Sequence, residues 1–187
     1  MRRVAENLSE NQQGYWEATI AGGHVLVHVP EGEFTMGADD GEPDELPVRS
    51  VYLDEYWIGK HTVTVAQFSE FVQKKGYVTD AETSPVGNFA DGASPYGVLD
   101  MAGNVWEWCF DYYDPAYYAV AQMRNPQGPA DGGDRVNRGG SYDNWSGFGS
   151  PEGGHNLRSA ERTGNEPDSS DDHMGFRIAV DYRERRP

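Results

Sequence analysis

A single cysteine, Cys109, stands in the whole chain, so no intrachain disulfide can form and cysteine usage says nothing about compartment. No 18-residue apolar run is present either, which excludes a membrane-crossing helix of ordinary length. Positive charge is scarce: 15 Lys and Arg face 31 Asp and Glu, a formal net charge of −16. A phosphate backbone is repelled by such a field, so nucleic acid is excluded as a partner, and cations or basic partners are favoured. Apolar residues make up only 37%, and the scarcity is offset by 23 Gly and 11 Pro, the composition of many turns and few long elements. Aromatics at 12% compensate, because each buries about 150–250 Å² and a few can anchor a loop-rich fold.

At 187 residues the chain suits one domain. Residues 1–14 read as a polar arm, helical or loose, residues 15–182 as the domain, and residues 183–187 as a basic tail. Arg2 and Arg3 resemble the start of a secretory leader, but residues 4–13 are polar and supply no apolar core for one. A cytoplasmic location is the expectation, or an extracytoplasmic one had a leader been removed.

His24–Val29 is a β-rich apolar run ended by Pro30, residues 33–37 a second short strand, and residues 48–59 a strand or bent strand pair. Residues 38–47 form an acidic loop expected to be solvated. One helix is predicted from Thr64, its N-cap, with Val65, Phe68, Phe71 and Val72 on one face and Gly76 as the stop. Residues 100–108 are compact and aromatic, residues 135–142 strand-like, and residues 175–181 a final strand. Between the last two lies a polar, Gly-rich stretch of about 30 residues, and loops of that length inside a domain are commonly functional. Arg138, Arg158, Arg162 and Arg177 are expected to pair with carboxylates and carbonyls of such loops.

Several ordered blocks carry a resemblance. Phe34-Thr35-Met36-Gly37 is followed by Val63-Thr64-Val65-Ala66-Gln67-Phe68, then Gly103-Asn104-Val105-Trp106-Glu107-Trp108, Arg138-Gly139-Gly140-Ser141-Tyr142 and Met174-Gly175-Phe176-Arg177. Together they resemble the formylglycine-generating enzyme, or sulfatase-modifying factor, family over about two thirds of the chain. The resemblance implies an α+β, loop-rich, C-type-lectin-like fold. It also implies a structural Ca²⁺ held by side chains of Asp100 and Glu107 and carbonyls of Gly103 and Val105, hard oxygen donors of the kind that ion takes.

Two departures shape the expected function. The family's middle section is largely missing between residues 76 and 85, which leaves a face for a partner chain or a second copy to cover. The oxidase members carry two copper-binding cysteines shortly after Gly-Gly-Ser; here Asn144 and Gly149 are the nearest counterparts, so no copper is expected. A non-catalytic domain follows, binding a protein or small molecule through residues 142–173. Tyr142, Asp143, Asn144, Trp145, Phe148, His155, Asn156, Asn165 and His173 are its candidate contacts, a paratope-like mix of rigid aromatic and adaptable polar side chains. Variable proteins of diversity-generating retroelements resemble this pattern. Two alternatives stay open: a non-haem iron oxidoreductase using His155 and His173 with Asp171 or Asp172, and a small subunit of a larger complex.

Overall fold

The β-rich run His24–Val29 (β3) is covered on both faces at its middle: Leu26 and Val27, on opposite faces, are fully buried and Val29 nearly so. The computed structural model describes residues 5–72, 83–142 and 155–181, without the side chains of residues 69–72 and 155. Within them β3 lies at the centre of a five-stranded antiparallel sheet. Asn7–Glu10 (β1) and Trp16–Ile20 (β2) flank it on one side, and Tyr56–Gly59 (β6) and Ala179–Asp181 (β11) on the other. Ala18, Leu26 and Trp57 form a core cluster on this sheet, with Ile20, Ile178 and Val180 packed against it.

The arm expected at residues 1–14 is therefore partly an edge strand. Asn7–Glu10 is exposed at every position, so no apolar alternation marks it in the sequence, and backbone pairing to β2 is what holds it. Residues 48–59 form two strands, as a bent pair requires: Arg49–Leu53 (β5) pairs with Gly32–Met36 (β4) in a hairpin, and β6 joins the large sheet. The final strand also divides. Met174–Gly175 (β10) runs parallel to Trp106–Tyr112 (β7), and only β11 reaches the five-stranded sheet. β7 continues through Arg135–Arg138 (β8) to Thr163–Asn165 (β9), completing a second sheet of four strands. The C-terminal segment thus ties the two sheets together. Among the described residues no helix is long and apolar enough to cross a membrane.

The predicted helix is Val65–Val72 (α1), and its N-terminus is a reciprocal capping box. Thr64 Oγ1 accepts from the Gln67 amide at 3.1 Å, and Gln67 Oε1 accepts from the Thr64 amide at 3.1 Å. Phe68 meets Phe176 edge-on at 5.8 Å. Gly76, the expected stop, lies outside the described residues. Thr64→Ala is expected to lower stability by about 1 kcal/mol, the usual weight of such a cap, read as a lower urea midpoint at unchanged m-value. An unchanged midpoint would mean that tertiary packing alone sets this helix start.

The acidic loop at residues 38–47 is not solvated throughout, contrary to expectation. Glu45 is fully buried, where Arg158 meets both its oxygens, with Nη1 at 2.9 Å from Oε2. Asp44 accepts a 2.6 Å hydrogen bond from the Tyr113 hydroxyl. Gly41 leaves the room this needs, since a Cβ there would stand 2.2 Å from Glu45 Oε2. Burial, and then the bond to Asp44, push the Tyr113 phenol upward.

Candidate functional site

The loop before β7 is built on left-handed backbone. Asp100, Gly103 and Asn104 have φ of 55°, 80° and 68°, conformations open mainly to Gly and Asn or Asp. Across from it Gly139 (φ 92°) and Gly140 (φ 67°) turn the chain out of β8, and the Gly139 carbonyl accepts from the Gly103 amide at 2.7 Å. A side chain at Gly139 would place a Cβ 3.2 Å from the Met101 carbonyl oxygen, on a backbone already in the left-handed region, so glycine suits this close approach. Gly175 serves the same purpose on β10, where a Cβ would come within 2.8 Å of Val105.

Arg177 sits at the centre of this construction, with only 5% of its side chain exposed. Its Nε donates to Glu107 Oε2 at 2.6 Å and its Nη2 to Glu107 Oε1. The remaining donors reach the carbonyls of Gly59, Leu99 and Asp100 at 2.9, 3.1 and 3.0 Å. Thr62 Oγ1 adds a 3.0 Å bond to Glu107 Oε1. The Asp100 carboxylate is buried, accepting from the Gly87 amide at 2.8 Å and lying 3.1 Å from His61 Nδ1. Asp100, Gly103 and Val105, three of the residues ascribed to Ca²⁺, lie in this loop, and the fourth, Glu107, is the second residue of β7; their oxygens match a hard cation in kind. The charge of Glu107 is already balanced by Arg177, so an ion there would supplement an existing cross-link.

Beside the loop runs a groove of about 380 Å³. One wall is residues 62–66 at the start of α1, a second residues 83–86, and a third Asp171, Asp172, Met174 and Gly175; Asn104 and Val105 also line it. Asn104 secures the second wall, its Oδ1 accepting from the Ser84 amide at 3.1 Å while its Nδ2 donates to the Ser84 carbonyl. Its own carbonyl accepts from the Tyr142 amide at 3.0 Å, which brings the start of the 142–173 stretch against the loop. The first two walls were missed in the sequence: Thr62–Ala66 reads there as a helix start and residues 83–86 as plain loop.

The candidate contacts divide. Tyr142 is 39% exposed, and His173 lies in a turn with Asp171 and Asp172 at the groove margin. One ligand atom from each of those three comes within 4.8 Å of the others. Asn156 is buried, and the half-buried Asn165 donates from Nδ2 to Asn137 Oδ1 at 2.9 Å; neither is among the residues lining the groove. Asp143, Asn144, Trp145 and Phe148 lie outside the described residues, as does the side chain of His155. Cys109 stands apart on β7. Burial pushes its thiol up to about 11, which keeps it protonated at neutral pH, the opposite of a thiolate ligand or nucleophile. Arg138 and Arg162 have the structural roles expected of them: Arg138 caps the carbonyls of residues 159–161, and Arg162 those of Asp44 and Asp114.

A sulfatase-modifying factor enzyme 1-like domain matches residues 17–82 and 79–182. The formylglycine-generating enzyme of Streptomyces coelicolor is 41% identical over 102 residues, covering 53% of this chain and 29% of that enzyme. The chain therefore spans less than a third of that relative's length. PvdO from Pseudomonas aeruginosa has the same fold, with a TM-score of 0.64 at 19% identity over 94% of this chain and 98% of PvdO. Treponema denticola variable protein 1 follows at 0.57 and 16% identity, over 84% and 95% of the two chains. The fold is the loop-rich α+β, C-type-lectin-like one that the ordered blocks imply.

Proposed function

The chain belongs to the sulfatase-modifying factor enzyme 1-like domain family, and we propose that it uses that scaffold as a non-catalytic ligand- or protein-binding domain. The observation that carries this reading is the groove beside the Gly-Asn-x-Trp-Glu-Trp loop, with walls from three segments, an exposed Tyr142 nearby, and no thiol among its lining residues. With Asn144 and Gly149 in place of the two cysteines, a copper(I) thiolate centre has no soft ligands to form on. Residues 142–173 are the recognition stretch, and the shared fold of the Treponema variable protein supports a retroelement-diversified form of it. Sequencing copies of this coding region from related strains is expected to find substitutions concentrated within residues 142–173. Copies identical through that stretch would defeat the diversified form, and iron retained by the purified chain would favour the iron-dependent alternative. A partner chain or second copy remains part of the proposal, covering the face left by the shortened middle section.

A structural Ca²⁺ at Asp100, Gly103, Val105 and Glu107 accompanies this reading. An ion that binds only the native state raises apparent stability with its concentration. The thermal midpoint is therefore expected to be higher in millimolar Ca²⁺ than in EDTA, and Asp100→Asn is expected to shrink that difference. Equal midpoints in Ca²⁺ and EDTA would defeat the ion site.

A further inference from the structure

A second cavity, of about 180 Å³, shares no lining residue with the groove. It lies between the β4–β5 hairpin, β7–β8 and the short helix Tyr117–Val120 (α2). Phe34, Val51 and Val136 give it an apolar wall, and Phe34, 44% exposed, stands where it meets the surface. Its polar lining is unbalanced: Arg49, Arg138 and Arg162 against the single carboxylate of Asp111.

The donors of those arginines are mostly spent on neutral groups. Arg49 Nη1 and Nη2 donate to the carbonyls of Tyr118 and Ala121, and Arg138 Nη2 to the Tyr118 hydroxyl. Arg162 has Asp44 at 3.9 Å, but among the described residues no carboxylate lies that close to Arg49 or Arg138. Carbonyls satisfy hydrogen bonds without cancelling charge. Arg49 Nε is also buried without a hydrogen-bond partner, and a buried donor in that state is normally met by something. Burial raises the Asp111 carboxyl above its ordinary value, against the pull of Arg138, Arg162 and Arg135.

We propose that this cavity binds a small apolar carboxylate, a ring or short-chain acid of about benzoate's size, with the carboxylate accepting from Arg49 and the body against Phe34, Val51 and Val136. Size permits it, since an apolar cavity of about 150 Å³ accommodates benzene. The charge-assisted bond to a guanidinium sets the preference for an anion over a neutral molecule of the same shape.

Benzoate titrated calorimetrically into the full chain is expected to bind saturably at one site, about tenfold or more tightly than benzyl alcohol. Arg49→Met is expected to erase that preference. Because Arg49 also holds α2, Cys109→Leu serves as a second variant: its larger side chain narrows the cavity from β7, and benzoate binding should weaken about tenfold or more while the protein stays folded. The proposal is overturned if benzoate shows no saturable binding, if folded Cys109→Leu binds it as the parent does, or if folded Arg49→Met keeps the anion preference.

Discussion

Arg177→Leu is expected to cost about 3–5 kcal/mol of folding free energy, because it removes one partner of a buried ion pair and strands the other. Glu107, with 14% of its side chain exposed, would lose its counter-ion, and Thr62 would be its one neutral side-chain donor among the described residues. The carbonyls of Gly59, Leu99 and Asp100 would lose their guanidinium donors at the same time. Those carbonyls come from β6, from the loop before β7, and from Asp100 itself, so a single side chain joins the five-stranded sheet to the four-stranded one. Native domains have about 5–15 kcal/mol in total, so the loss is a large share of what holds the chain folded. Arg177→Lys should rescue little, since one ammonium cannot span a bidentate carboxylate and three carbonyls. Arg177→Leu with Glu107→Leu should be less damaging than Arg177→Leu alone, because the stranded charge is gone. Urea denaturation of the three variants reads this directly. A parent-like midpoint in Arg177→Leu would show that the hub carries no weight.

How much of this was legible in the sequence depends on the distance over which each residue is satisfied. β3 and α1 show in the chain because their burial follows a local pattern, a continuous apolar run in one and a 3.6-residue period behind a Thr-x-x-Gln box in the other. β1 does not, since Asn7-Leu8-Ser9-Glu10 is exposed at every position and is defined only by its partner strand. Glu45 is one acid among five in its loop, and what sets it apart, Arg158, lies 113 residues away. The four structural arginines were foreseeable as a class, because loops without ladder bonds need donors for their carbonyls. Their partners were not, as Arg177 meets Glu107 across 70 residues. The same holds for the groove, whose walls come from three separate segments and which draws only Asp171 and Asp172 from the polar stretch read as functional.

Glu45→Gln is expected to cost about 3 kcal/mol at neutral pH, the low end for breaking a buried pair, because Arg158 is 29% exposed and keeps Glu161 at 3.1 Å. The pH dependence separates the two carboxylates on this one arginine. For Glu45, burial alone would raise the carboxyl, but the bonds from Arg158 and the Glu42 backbone outweigh it and hold the group below its ordinary value. Its contribution is therefore present above the unfolded carboxyl range and lost as pH falls through the lower folded value. Glu161 runs the other way. Burial outweighs Arg158 and raises its carboxyl, helped by the charges of Glu45 and Asp44. The contribution of Glu161 is full below the unfolded carboxyl value and is lost as pH rises through the higher folded one. In the parent, stability measured by urea unfolding should pass through a maximum in the mildly acidic range between these two losses. Glu45→Gln should remove the acid-side loss and Glu161→Gln the loss on the higher-pH side, with the latter variant gaining relative stability toward neutral pH. The two effects have opposite sign on the same guanidinium, so identical pH profiles for the two variants would contradict the opposite shifts assigned to Glu45 and Glu161.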